Sequence, residues 1–488
     1  MRVAALAKDY RQSGLQVIRV ISGDNELSAL DFQKHYRLPV VHLMDSDRAF
    51  ERKYNRRGWP FLMLVDSEGN IIHRCNNLID RESKLKSLLK KMKSESFSAL
   101  TRIADGIYYM NSTLQRSGEI EKSLQNERFT SLAAGRNGQI YTVFTSLKNG
   151  NSDIVMQIYD GTSLSKDIPI AATDADEYDG TVLVDNKNQV WVCWTSNAID
   201  NKYQIHLTSL KDVREGRQSI IVSKSKDDTM HGRMTADDSG TIWITYYQWH
   251  NMGSNSRDKE VYLRKYSNGA FSEEVRISPT DVPVYEDHTD PSISILNGQV
   301  FVCWSWDFHR PKGYTKDARE PTIFARTMSR DLALGKPFHI SGHRIDAAPM
   351  LLSAYNNNLW CAWDSLGRSQ KDRVYRKNLY VRLLSAHDAA GQEFAIAQDL
   401  VNVCSPCFAF DNEGNGVLTF SQTDNGKDFS LWKAEFDSDN DCWKEPTVLI
   451  SEGNPRFGSC VYDTNGKLWI AYSAQTDNGR KVTVKRVD

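Results

Sequence analysis

The side chains able to do chemistry in this chain recur at matching points of successive segments. His231 lies in "TMHGRM", His288 and Asp290 in "EDHTDP", and Asp307 and His309 in "SWDFHRP". Imidazole and carboxylate together suit Zn, Mn or Fe. Their spacing makes no local ligand motif, so neither a metal nor another cofactor is expected. Tyr178, Asp179 and Asp346 stand at comparable points, and Arg128, Arg344 and Arg456 supply guanidinium groups that would clamp a carboxylate. "CSPC" (404–407) is the one Cys-x-x-Cys. It stands at the start of a strand rather than of a helix, where residues three apart point to opposite faces. Two separate packing cysteines are expected there. The sequence has no Gly-rich phosphate loop, no Ser-His-Asp order and no basic stripe for nucleic acid.

A repeat positions these residues. Seven segments share a turn, an apolar residue and two aromatics three apart: "RNGQIYTVF", "NKNQVWVCW", "DSGTIWITY", "LNGQVFVCW", "YNNNLWCAW", "EGNGVLTF" and "TNGKLWIAY". The first aromatic falls at Tyr141, Trp191, Trp243, Phe301, Trp360, Val417 (where it is lost) and Trp469, at spacings of 50, 52, 58, 59, 57 and 52 residues. This period is slightly longer than the roughly 40–50 residues of a four-stranded propeller blade. Large aromatics on both sides of a strand mean that it is sandwiched between neighbouring blades. Third strands such as "VYLRKY" (261–266) and "LYVRLL" (379–384) follow, then short fourth strands such as "SIIVS", "EVRIS", "PFHIS" and "TVLIS". The seventh repeat stops at its third strand, "VTVKRVD" (482–488), while "GEIEKS" (118–123) precedes the first. The expected architecture is an all-β seven-bladed propeller closed by this N-terminal strand, which removes the free edges.

In an antiparallel meander, the start of each first strand shares a face with the loops between second and third strands. Three of those loops, in repeats three to five, are long and polar: residues 248–260, 305–321 and 364–378. The same face receives Arg128, Tyr178, Asp179, His231, His288, Asp290, Arg344, Asp346 and Arg456. Loops on a rigid scaffold are where binding usually sits. This face is therefore the candidate site, for a protein or for a small-molecule or glycan ligand.

The first hundred residues follow another pattern. Strands "LQVIRVI" (15–21), "PVVHLMD" (39–45), "FLMLVD" (61–66) and "IIHRC" (71–75) alternate with helical stretches at 3–13, 25–37, 46–55 and 80–93. Strands and helices in that order indicate an α/β sandwich. With Gly58-Trp59-Pro60 followed by a strand and a hairpin, residues 1–96 resemble the redoxin branch of the thioredoxin superfamily. The resemblance implies that Pro60 is the cis-proline packed against a redox site. That family carries its thiols as Cys-x-x-Cys at the N-terminus of the first helix, where the dipole lowers a thiol pKa. The first strand and that motif have no counterpart here, and Cys75 lies on the last hairpin strand. The domain is thus incomplete, no dithiol chemistry is expected of it, and Met1 is expected to be an internal methionine of a longer gene product. Residues 97–116 read as a linker and 117–488 as the propeller.

The repeats themselves resemble the broad sialidase-like, Asp-box group of propellers. "DDSGTIW" (237–243) approaches its motif, with Ala236 where that group has Ser or Thr. By this resemblance Arg128, Arg344 and Arg456 would mimic a sialidase arginine triad. The family's Arg-Ile-Pro motif is absent, and no paired acid and Tyr nucleophile can be placed.

The remaining composition excludes more than it assigns. With 61 basic and 62 acidic residues the net charge is −1, which gives no reason to expect nucleic acid or anionic lipid as a partner. No apolar run is long enough to span a membrane. The N-terminus lacks the apolar core of a signal peptide, so the chain as given is expected in the cytoplasm. The redoxin resemblance instead implies an extracytoplasmic setting for a longer protein. Three functions compete: a ligand- or protein-binding propeller on a redoxin-like unit without its thiols, part of a thiol-disulfide oxidoreductase whose propeller selects substrate, and a propeller glycoside hydrolase or lyase.

Overall fold

The computed structural model divides into two compact units, Met1–Ile120 and Glu121–Asp488. It describes residues 17–22, 40–45, 62–65 and 71–75 of the first unit. In the second it describes 125–487 except 149–150, 200–201, 226, 252–256, 280–285, 309–321, 342–344, 354–357, 369–374, 385–390, 398–399, 401, 425–427, 439 and 477–478. In the first unit Val17–Ser22 pairs in parallel with Val40–Asp45, from Val17 opposite Val40 to Ser22 opposite Asp45. Leu62–Val65 pairs antiparallel with Ile71–Cys75. The strands expected from sequence are present. The expected helices and Pro60 lie outside the described residues, and four strands do not by themselves make a thioredoxin-like domain.

The second unit is an all-β seven-bladed propeller. Its inner strands are Gln125–Ala134, Glu177–Val184, Asp228–Ala236, Glu286–Leu296, Ile345–Ser353, Val403–Phe410 and Arg456–Tyr462. Each hydrogen-bonds antiparallel to the next strand of its blade, as Asp228–Ala236 does to Ile242–Asn251. The outermost strands are short, such as Ile220–Ile221 and Phe338–His339. Blade seven meets blade one through a parallel contact, Gly479 opposite Gln125 and Arg480 opposite Asn126. The Thr130 hydroxyl lies 3.0 Å from that of Ser459 and donates to the Ala471 carbonyl at 3.2 Å, which closes the ring across 329 and 341 residues of sequence. The proposed closing strand, 118–123, lies outside the described residues.

The aromatic pairs of the repeat explain why the blades stack. In the second strands of blades one to six the two residues three apart fall into different core clusters. Trp191 packs with Tyr246 of the next blade. Likewise Trp243 packs with Trp304, Phe301 with Trp363, Trp360 with Phe420, and Tyr141 with Trp194. The first aromatic of one blade therefore meets the second aromatic of its successor. Burying two such side chains per interface is the main apolar gain on stacking, at roughly 25 cal/mol per Å² removed from water. In blade six the small Val417 stands in for the first aromatic, and that interface is filled instead by Leu431, Ile470 and Cys460.

Four of the inner hairpins are locked by a carboxylate. Asp237 accepts from the backbone N–H groups of Ser239 (2.9 Å) and Thr241 (3.0 Å) on one oxygen and from the Trp243 indole (3.1 Å) on the other. Asp185 does the same for Lys187, Gln189 and Trp191, and Asp463 for Asn465, Lys467 and Trp469. In blade six the indole is missing, and the Asn415 side-chain amide donates to Asp411 at 2.8 Å in its place. One carboxylate thus satisfies the turn and anchors the aromatic to it. The motif is structural, and it lies at the opposite end of the inner strands from the residues described next.

Candidate functional site

Every inner strand slips register once near its start. The slips fall between Arg128 and Ser131, Tyr178 and Thr181, Met230 and Arg233, Thr289 and Ser292, Ala347 and Met350, Cys404 and Cys407, and Arg456 and Ser459. Each is a β-bulge, which inserts an extra residue and re-aims a side chain. Two bulge residues thus lie opposite one partner, and the first of them adopts a left-handed backbone at Asp179 (φ 57°), His231 (φ 56°), Asp290 (φ 51°) and Ser405 (φ 57°). Asp and His are among the non-glycine residues that tolerate this region. The second bulge residue is Gly where the preceding blade is close. A Cβ at Gly180 would come 2.7 Å from Val143 Cγ1, one at Gly232 2.7 Å from Cys193 Sγ, and one at Gly458 2.6 Å from Leu431 Cδ1. Proline, which needs no hydrogen-bond partner for its nitrogen, takes the place at 291, 349 and 406.

Bulges of blades two, three and four bring Asp179, His231 and Asp290 together. His231 Nδ1 lies 3.4 Å from Asp179 Oδ2 and 3.8 Å from Asp290 Oδ1. Its ring stacks on Tyr247, with centroids 5.2 Å apart and planes 26° apart. Arg233 donates to both oxygens of Asp179, at 3.0 and 3.1 Å, and to the Gly232 carbonyl at 2.9 Å. Burial pulls the Arg233 guanidinium toward losing its proton, but the Asp179 carboxylate outweighs this and the net shift is upward. The pair therefore stays charged. Asp290 and His231 keep 38% and 26% of their side-chain exposure, enough to meet a ligand. Lys259 Nζ sits 4.8 Å over the Trp249 ring beside them. Arg233 was not among the residues expected from sequence. On a regular strand it would share the face of His231, and only the bulge moves it to the face of Met230.

The remaining expected residues scatter. His288 is 2% exposed and its Nδ1 accepts from the Trp304 indole at 2.8 Å, so that nitrogen carries no proton and the ring packs within the core. Tyr178 is 3% exposed and meets Tyr203 edge-on at 5.5 Å. The Arg456 guanidinium lies 4.1 Å over Phe429, away in blades six and seven. Asp307 and Asp346 lie in described strands, opposite Asp287 and Ser365, but their side chains, like that of Arg128, lie outside the description. His309 and Arg344 lie outside the described residues altogether. Among the described residues, no group of three or more His, Cys, Asp or Glu is placed to hold a metal ion, and no helix is long and apolar enough to cross a membrane.

A second polar cluster went unseen in the sequence. His250 Nε2 lies 3.2 Å from Glu260 and 3.2 Å from the Tyr262 hydroxyl, and His250 Nδ1 lies 3.1 Å from Asp227. Tyr262 donates to Glu260 at 2.6 Å, and Arg276 lies 2.7 Å from its other oxygen. The bond to Glu260 draws His250 above its ordinary value against the opposing effect of burial. Burial alone would push Glu260 up, but His250, Tyr262 and Arg276 together hold it below its ordinary value. A raised histidine stabilises below its unfolded pKa and loses this as pH rises through the folded one. A lowered glutamate does the reverse on the acid side. The contribution is thus fully present between the ordinary values of 4.5 and 6.5 and declines on both sides. His250→Ala is expected to lower stability near pH 6 by about 1 kcal/mol, after solvent screening. It should also flatten the alkaline limb of a pH series of urea unfolding midpoints; an unchanged limb would refute the assignment.

The comparisons with known proteins concern the fold. No family model and no curated protein matches the chain. Among solved structures it is similar to a polysaccharide lyase, the PL25 ulvan lyase, at 10% identity and a TM-score of 0.50, covering 74% of this chain and 96% of that one. The same lyase bound to -[GlcA(1-4)Rha3S]- matches at 11% identity and 0.50, covering 75% and 94%. An α-L-arabinanase of Penicillium chrysogenum complexed with arabinobiose matches at 11% and 0.44, covering 75% and 97%. At these identities the likeness is one of fold alone.

Proposed function

We propose that this chain is a polysaccharide-cleaving propeller whose site is the cluster of Asp179, His231, Arg233 and Asp290. The observation that carries the reading is the placement of His231 between two carboxylates by left-handed bulges from three consecutive blades. The bulge recurs in every blade, but in these three the left-handed position holds Asp, His and Asp, side chains that can do chemistry. Histidine is the side chain best suited to move a proton near neutral pH. Both carboxylates approach Nδ1, which leaves Nε2 to face a sugar. Asp179, bound at both oxygens by Arg233, holds the ring. Asp290 is the carboxylate left to meet the substrate. With the Arg233 charge engaged by Asp179, a uronate placed at His231 would face the Asp290 carboxylate, which favours neutral or amino sugars there. The fold shared with a polysaccharide lyase supports a glycan as the ligand class.

The test is incubation of the full chain with a panel of neutral, amino and acidic polysaccharides. Hydrolysis is read as new reducing ends, and elimination as the ultraviolet absorbance of an unsaturated sugar. Cleavage of a neutral or amino polysaccharide is expected. A chain that binds a glycan without cleaving it would be a binding module, and one that does neither would sink the proposal.

The first unit carries a second reading. Its strand pairs, one parallel and one antiparallel, would fit within a redoxin-like domain. Such a unit, with Cys75 as its one cysteine, is expected not to reduce insulin disulfides. A reduction rate abolished by Cys75→Ser would overturn that expectation.

A further inference from the structure

We infer that Cys407 and Cys460 form a dithiol site between blades six and seven that low-molecular-weight disulfides oxidise to an inter-blade disulfide. The sequence argument against the Cys-x-x-Cys fails at the bulge. Cys404 lies opposite Ser421 and Cys407 opposite Thr419, and these partners are two apart, so both cysteines project from the same face. That face meets blade seven. The Cys460 N–H donates to Cys407 Sγ at 3.4 Å, while Cys460 Sγ lies 3.4 Å from the Cys407 carbonyl. Each sulfur thus already lies against the backbone of the other residue, on the two strands that a disulfide would join.

The surroundings suit exchange. This interface has lost its first aromatic to Val417, and Cys407 and Cys460 are among the side chains that fill it. The Thr419 hydroxyl donates to Cys460 Sγ at 3.5 Å. The hydrogen bond from Cys460 draws the Cys407 thiol below its ordinary value against burial, whereas burial pushes Cys460 up. Cys407 is partly exposed and Cys460 is buried, which makes Cys407 the attacking group and Cys460 the resolving one. The Cys303–Cys361 pair of blades four and five lacks that access: both are fully buried, and burial raises Cys303 strongly.

Oxidation would proceed in two balanced steps. The Cys407 thiolate attacks one sulfur of oxidised glutathione, its S–S bond breaks, and one glutathione thiolate leaves and takes up a proton. Cys460 then loses its proton and attacks the Cys407 sulfur, forming the protein disulfide and releasing the second glutathione thiol. Two protein thiols are oxidised and one glutathione disulfide is reduced.

The experiment exposes the full chain to oxidised glutathione, alkylates it under denaturing conditions and maps non-reduced peptides by mass spectrometry. A linked Cys407–Cys460 peptide pair is expected, retained in Cys404→Ser, lost in Cys407→Ser and Cys460→Ser, and reversed by dithiothreitol. Linking blade six to blade seven should raise the unfolding temperature of the parent by about 5 °C and leave both loss variants unchanged. Full alkylation of Cys407 and Cys460, or a Cys404–Cys407 link in their place, would overturn the inference.

Discussion

Replacing His231 by alanine is expected to lower polysaccharide cleavage by about 10²–10⁴-fold, the usual contribution of a positioned acid–base group. The fall should lie in kcat, because the ring moves a proton and contributes little to ground-state binding. His231→Gln keeps the hydrogen-bonding shape without the titration and should fall as far. Asp290→Asn removes the exposed carboxylate and should lower activity by about 10²-fold. Asp179→Asn acts differently, since it leaves Arg233 without its bidentate partner. Its cost is expected to be mainly in stability, about 1–3 kcal/mol, below that of a fully buried pair because the Arg233 side chain keeps 34% of its exposure. Full activity in His231→Ala with normal folding would remove the site from the reaction.

Gly232→Val is expected to damage both fold and site. The added Cβ would lie 2.7 Å from Cys193 Sγ and 3.1 Å from Ile205 Cγ2, both in the core of blade two. Overpacking of this kind costs about 1–3 kcal/mol. Relief by moving the bulge would displace the adjacent His231, and a shift of about 1 Å at a reacting group is enough to lower activity by about 10²-fold. Cys193→Ala removes the nearest clashing atom and should restore part of the stability in the double variant, which a thermal unfolding series would show. A Gly232→Val chain with parental stability would mean that the blades are not in contact there. Gly269→Ala, a turn glycine with open space around it at φ 80°, serves as the control, with only local strain expected.

The propeller itself was readable because its signal is repetitive and local. Aromatics three apart, in six of seven repeats, state that a strand is buried on both faces, and the core clusters pair them blade to blade in that way. The role of Asp237, Asp185 and Asp463 was only half readable. The sequence shows an incomplete Asp-box, and the indole bonds show why the Asp and the Trp travel together. The site was less legible. Asp179, His231 and Asp290 were picked out as residues at the starts of first strands, a position that did not by itself say that they meet. His288, two residues before Asp290, was picked out on the same ground but is buried against Trp304. Arg233 and the His250 cluster left no mark that distinguishes them from solvent-facing charges.

Composition, period and alternation by themselves determined a ring of seven antiparallel sheets, the strands of the first unit, and the end of the ring where histidines and carboxylates gather. Only the tertiary structure decided which of those residues meet. The physical reason is the bulge. Side-chain direction along a strand follows a period of two, and one inserted residue reverses it for everything beyond. Nothing in the local sequence marks the insertion unambiguously: Gly, Pro and Thr all occupy its second position here. What selects it is the close approach of the preceding blade, which comes from sequence some fifty residues away.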